Sequence, residues 1–247
     1  MNITDKRSGY LFNAGVALAI GLILSSLIFG WFFAKSKKGD ESITVTGAAK
    51  KRIKSDLVVW SASISAQSAQ PTDAYKQLSE NMPRIKQYLI GKGIPENQMT
   101  VSSISTTTLR KQDANGVETS EITGYNLRQQ IEVRSNDVDK VGQIAREATE
   151  LINQGILIES NAPQYYYTQI GDLKIEMLGE AAKDGKVRAE KIAASTGNSI
   201  GAVRSARMGV LQITAADSTE VSDSGIYDTS TIEKDMTAVV NVSFAVN

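Results

Sequence analysis

Cysteine and histidine are both missing from this chain of 247 residues, and proline occurs only 4 times. Without cysteine there is no disulfide scaffold, no thiolate zinc site and no thiol nucleophile. Without histidine there is no Ser-His-Asp triad, no HExxH zinc site and no histidine-ligated haem. An excess of charge is missing too: 27 Lys+Arg stand against 27 Asp+Glu, with a pI near 6.4. That balance gives no basic field with which to hold nucleic acid. The chemistry left open is that of carboxylates, Lys, Tyr or a Ser-Lys pair, or of hard cations held by oxygen ligands.

One stretch breaks the average composition. Leu11 to Ala34 reads LFNAGVALAIGLILSSLIFGWFFA and carries no charge. At about 1.5 Å per residue this is roughly 36 Å of helix, against a hydrocarbon core of about 30 Å. The sequence therefore predicts an uncleaved membrane anchor over 11–34, following a short tail 1–10 and followed by a polar linker 35–41. A cleaved signal peptide fits less well, because bulky Phe32 stands where a small residue is wanted. Trp31, Phe32 and Phe33 followed by Lys35, Lys37 and Lys38 match an aromatic belt with snorkelling lysines. Lys50, Lys51 and Arg52 follow shortly after, so all six cations are candidate membrane-surface contacts; a solvated hairpin tip is the alternative for the last three. Counting Lys and Arg on both sides of the span points the large domain to the cytoplasm. Beyond the span the chain is nearly neutral, with 25 Lys+Arg and 26 Asp+Glu once Lys6, Arg7 and Asp5 are set aside.

The remainder predicts an α+β fold of antiparallel sheets covered by helices. Val58, Trp60, Ala62, Ile64 and Ala66 alternate as one face of a strand. After Pro71, the spacing of Tyr75, Leu78, Met82, Ile85 and Leu89 is that of a helix face, with Pro83 predicting a kink or break. Strands follow at 99–109 and 121–134, the latter with Tyr125, Leu127, Ile131 and Val133 inward. An Asn136-capped helix runs to Gly155, then a strand around Gln164–Thr168 and a long helix from Asp172 to about Thr196. Strands at 199–214 and 232–246 close the chain around a polar loop, 215–231. This order suggests two β-α-β-β units, 42–134 and 155–247, joined by helix 137–154.

Four stretches carry a resemblance to a known family. They are Ile43-Thr44-Val45-Thr46-Gly47 followed by Ser55-Asp56-Leu57-Val58-Val59, Gly93-Ile94 with Met99-Thr100-Val101-Ser102, Gly124-Tyr125 before a strand, and Ala181 to Ala193 running into Gly197 and Gly201. In this order they resemble the SIMPL-domain family of bacterial periplasmic immunogenic and oxidative-stress defence proteins, over residues 41–247. Ser55 stands where the family has Pro, and Asp184-Gly185-Lys186 where it has Asp-Ala-Arg. The resemblance implies an extracytoplasmic domain that self-assembles into rings or channel-like oligomers. It implies no catalytic residue, and its placement of the domain disagrees with the charge count.

Elements of other chemistry are thin. Gly179…Gly185-Lys186-Val187 has one residue too many for a phosphate loop and lacks the Ser/Thr that binds magnesium. No S-x-x-K occurs. Glu176, Glu180 and Asp184 form a row at helical spacing that reads as an exposed face, with Asp184 paired to Arg188. Asp217, Glu220, Asp223, Asp228, Glu233 and Asp235 lack the spacing of a calcium cage and read as a solvated loop. Tyr165, Tyr166 and Tyr167 are the densest aromatic run and the candidate partner contact. The sequence thus predicts a non-enzymatic, anchored homo-oligomer in a bacterial inner membrane, bound to the bilayer through 11–34, with its domain on the periplasmic side. No cofactor, metal or nucleic acid is expected and no ligand is specified. A monomeric or dimeric envelope-stress or ligand-binding module is the alternative.

Overall fold

The computed structural model describes residues 15–31 and 41–247. Residues 15–31 form helix α1, roughly 26 Å long at about 1.5 Å per residue. No helix among the described residues is long and apolar enough to cross a membrane. The ends of the expected anchor, 11–14 and 32–34, and the linker cations Lys35, Lys37 and Lys38 lie outside the described residues.

Two compact units divide the rest. The larger comprises 49–177 and 210–238. Its centre is a six-stranded antiparallel sheet made of β2 (Leu57–Ser68), β3 (Met99–Val101), β4 (Ser105–Gln112), β5 (Glu118–Ser135), β6 (Ile158–Ser160) and β7 (Gln164–Tyr166). β2 and β5 pair over their whole shared length, from Val58 opposite Ser135 to Ser68 opposite Tyr125. Alternation puts Val58, Trp60, Ala62, Ile64 and Ala66 on one face with Leu127, Ile131 and Val133, and all are buried. Helices α2 (Pro71–Gly91) and α3 (Val138–Glu147) cover that face with Ala74, Leu78, Met82, Ile85 and Leu89 and with Val138, Val141, Ile144 and Ala145. Trp60 is 1% exposed, and its indole N–H donates to Ser160 Oγ at 3.0 Å, which donates on to the Ala145 carbonyl at 2.8 Å. The largest core side chain thus keeps its one polar atom satisfied.

In this unit β9 (Gln212–Ala215) pairs antiparallel with the start of β11 (Glu233–Val246), and the two-residue β10 (Ile226–Tyr227) lies parallel to β9. The smaller unit comprises residues up to 48, 178–209 and 239–247. Within it β1 (Ser42–Lys54) neighbours β11, and β8 (Ile200–Met208) pairs antiparallel with Val240–Val246. The part of helix α4 (Ile170–Ser195) in this unit buries the small residues Ala181, Ala189 and Ala193, while Ile192, expected on the same side by its spacing, is exposed. At Gly47 the reason for that smallness is direct. A Cβ there would lie 2.1 Å from the Ala181 carbonyl oxygen and 2.4 Å from the Gly185 nitrogen.

Several expectations are corrected. α2 runs unbroken through Pro83, because Pro83 and Ser79 are both exposed and water can serve the carbonyl that the ring leaves unpaired. Ala74, not Tyr75, completes the buried face of α2, and Tyr75 points outward. The cap of α3 is Asp137, which accepts from the Lys140 N–H at 3.1 Å, while Asn136 donates to the Asp56 carbonyl. The expected strand 199–214 breaks at 209–211 into β8 and β9. β7, the expected first strand of the second β-α-β-β unit, pairs with β2, Tyr165 opposite Val58. The two halves therefore do not each own a sheet.

Candidate functional site

The basic run on β1 lies on a continuous strand and not at a hairpin tip, and carboxylates from neighbouring elements meet it. Lys50 Nζ lies 2.9 Å from Asp235 Oδ2, and Lys51 Nζ lies 2.5 Å from Glu176 Oε1. Arg52 donates through Nε to Asp235 Oδ1 at 2.9 Å, and through one terminal nitrogen to Asp235 Oδ2 at 3.1 Å and Asp217 Oδ1 at 2.5 Å. Lys54 reaches Asp139 at 2.8 Å. Alternation along β1 sets Lys50, Arg52 and Lys54 on one side of the strand, which is why they meet acidic partners as a row. These contacts raise the Arg52 pKa, through its hydrogen bonds to Asp235 and then Asp217.

Asp235 is the hub. Its side chain is 2% exposed, and its carboxylate also accepts the Asp217 backbone N–H at 2.7 Å. Arg52 above all holds it well below the usual carboxylate range. Asp217 itself has φ 63°, a left-handed conformation that Asp tolerates better than most residues. Close in sequence, Lys234 is fully buried and donates to Asp228 Oδ2 at 3.0 Å and to the Thr231 carbonyl. Burial pushes the Asp228 carboxyl up, but hydrogen bonds from Ser230, Thr231 and Lys234 outweigh it and hold it well below its ordinary value. The acidic loop expected to be solvated is thus pinned at three of its six carboxylates, Asp217, Asp228 and Asp235. Among the described residues no group of three or more His, Cys, Asp or Glu could hold a metal ion.

The three tyrosines part company. Tyr165 is buried in the core, and burial raises its phenol pKa. Gly142 makes room for it, since a Cβ there would lie 2.7 Å from its hydroxyl. Tyr166 is half-buried, donates to Gln164 Oε1 at 2.6 Å and faces the Tyr227 ring at 6.4 Å between centroids, tilted by 31°. Tyr167 is half-buried. Tyr227, which sequence reasoning missed, comes from β10, and only the fold brings it to Tyr166.

The face of the six-stranded sheet opposite the helices is polar. Arg128 crosses from β5 to donate to Ser63 Oγ at 3.0 Å and Glu159 Oε2 at 2.7 Å, and Asn161 Nδ2 donates to Ser61 Oγ at 3.0 Å. A shallow cleft of about 250 Å³ opens there between Ser63, Ser65, Arg128, Leu157 and Glu159. Pairing of β2 with β6 ends at Ile64 opposite Ile158, although β2 continues to Ser68. In the smaller unit, Asp184 on α4 accepts the Ala48 backbone N–H at 2.9 Å and pairs with Arg188 at 2.8 Å. The Ala48 bond and then Arg188 lower its pKa. Glu176 pairs with Lys51, so two of the three acids in the helical row are committed to ion pairs.

Comparison with known proteins adds the following. No curated protein matches the chain. Among solved structures, the ligand-free regulatory subunit of aspartate kinase from Thermus thermophilus aligns over 79% of this chain and 87% of its own, at 16% identity and a TM-score of 0.18, too low to bear on the fold. Residues 43–244 match the model of SIMPL, a protein of unknown function (DUF541). That match spans β1 through nearly all of β11 and includes the four stretches that carry the sequence resemblance: the chain belongs to the SIMPL family.

Proposed function

We propose that this chain is a non-catalytic scaffold, anchored in a bacterial inner membrane by residues 11–34, whose periplasmic SIMPL domain assembles with further copies of itself into a ring or channel-like oligomer. The observation that carries the anchor is α1. It exposes apolar side chains on every side, from Leu18 to Phe29 at 72%, and no polar face offers it to water. A helix apolar all round calls for an apolar surround, and the bilayer is the surround available to an envelope protein. Anchoring also raises the local concentration of domains, so weak contacts between copies suffice for assembly.

Assembly is supported by the outer part of the β4–β5 hairpin. Among the described residues β4 pairs only with β5, its residues are exposed apart from Leu109, and β5 stays largely exposed as far as Thr123. A long two-stranded arm with a bare edge is a template for pairing with another chain. The ligand-binding alternative rests on the Tyr166–Tyr227 pair, whose partly exposed rings offer a platform for a planar or sugar ligand.

Multi-angle light scattering of detergent-solubilised full-length protein tests the reading. A discrete high-order particle is expected, and T107P, which places a proline on the bare edge strand, lowers its mass. A monomer at every concentration overturns assembly and turns the search to ligands at Tyr166 and Tyr227.

A further inference from the structure

Two tyrosines far apart in sequence meet in the larger unit. Tyr166 ends β7, opposite Leu57 of β2, and Tyr227 ends β10, opposite Ile213 of β9. The backbone holds the two segments together: the Tyr165 N–H donates to the Thr229 carbonyl at 2.8 Å. The rings of Tyr166 and Tyr227 lie 6.4 Å apart between centroids and are tilted by 31°, inside the span of about 4.5–7 Å that packed aromatic pairs keep. Neither ring is sealed. Tyr227 is 44% exposed and Tyr166 is half-buried, so a small solute reaches the pair from solvent.

The surroundings leave phenols as the accessible source of electrons in this unit. No cysteine thiol stands ready to be oxidised in their place. Trp60, the tryptophan of the same unit, is buried beneath the helices, and Tyr165 is buried in the core. Tyr75 is exposed on the outer side of α2, apart from the β7–β10 junction. A phenoxyl radical on an isolated tyrosine must wait for a second molecule. At Tyr166 and Tyr227 the second phenol is already held beside the first, which turns a bimolecular coupling into an internal one.

We propose that Tyr166 and Tyr227 form an oxidative cross-linking site, at which a one-electron oxidant joins the two rings as dityrosine. Each phenol loses one electron to the oxidant and its hydroxyl proton to water. The two phenoxyl radicals bond through the ring carbons next to the oxygens, and the hydrogens on those carbons move to the oxygens and restore both phenols. In sum one carbon–carbon bond forms, the protein loses two hydrogen atoms as protons and electrons, and two equivalents of oxidant are each reduced by one electron. Tyr227 supplies the swing that brings the carbons together, because β10 is only two residues long within an irregular stretch. The bond ties that stretch to β7 and closes the chain from 166 to 227, which restricts the unfolded state. The site lies within one folded unit and rests on neither the anchor nor assembly.

The test uses the full chain in detergent, illuminated with tris(bipyridyl)ruthenium and persulfate, which generate ruthenium(III) as the oxidant. Blue dityrosine fluorescence is expected in the monomer band of a denaturing gel, with a mass lower by two hydrogen atoms. A digest is expected to join the peptide that holds Tyr166 to the one that holds Tyr227. Y166F and Y227F, which keep both rings, are each expected to lose the cross-link, and Y167F and Y75F to retain it. The cross-linked parent is expected to melt several degrees above the untreated chain, and an unchanged melting temperature overturns the stapling effect. A joined peptide that persists in Y166F but is lost in Y167F overturns the assigned pair. Joined peptides found only in a dimer band overturn the site in favour of contact between copies. Tyrosine oxidation without the joined peptide, or an equal yield of it from urea-unfolded protein, also overturns the site.

Discussion

At the scale of single residues, the buried charges of the 228–235 segment set the clearest terms. Lys234→Met leaves the Asp228 carboxylate without its cation in a buried place, and chemical denaturation is expected to show a loss of about 3 kcal/mol. Asp235 governs pH dependence. Its pKa is lower folded than unfolded, so its contribution is fully present above the ordinary carboxylate value of about 4 and is lost as pH falls below that. Melting temperature is therefore expected to drop between about pH 4 and pH 2 in the parent protein, and D235N removes part of that drop while lowering stability at pH 7. The glycines give a contrast of sign. Gly47→Ala meets backbone atoms of α4 and is expected to cost 3 kcal/mol or more at the upper end of about 1–3 for overpacking. Gly179→Ala, with nothing within 4 Å, is expected to stabilise α4 by about 0.5–1 kcal/mol in the same assay.

At the scale of elements, hydrogen exchange should separate the six-stranded sheet into a slow centre and a fast arm. Amides of Leu127–Val133, flanked by β2 and covered by α2 and α3, are expected to exchange last, and those of Thr107–Arg110 among the first. Equal rates in the two stretches would mean that the arm is covered in solution. The elements most legible in the sequence are those with one strong period. The alternation of Val58 to Ala66 and the three- and four-residue spacing of Leu78, Met82, Ile85 and Leu89 report burial that a single face imposes. Where burial is two-sided or shared, that signal fades. β6 has three residues and no alternation to read, and β7 borrows its place from β2. Ile152, which fits the helical face on paper, turns outward because 148–154 tightens into a 3-10 helix after α3. The basic run on β1 was visible as charge, but its acidic partners lie more than 120 residues away in three cases and could not be seen.

At the scale of the whole molecule, the family and the α+β class were legible because four short stretches survive in order across residues 43–244. What composition could not fix was the aromatic pair, since Tyr227 sits in a polar loop that pattern reading leaves structureless. The chain has two tryptophans, and the fold gives them opposite surroundings. Trp60 is sealed beneath α2 and α3 with its indole hydrogen-bonded to Ser160, whereas Trp31 ends α1 at 63% exposure. The protein thus carries two intrinsic optical reporters on separate circuits. Trp60 emission is expected to shift red only when the larger unit unfolds, and Trp31 emission to follow what surrounds the helix. W60F and W31F, each leaving one tryptophan to excite selectively over the eight tyrosines, would let unfolding and membrane entry be watched independently without an added label.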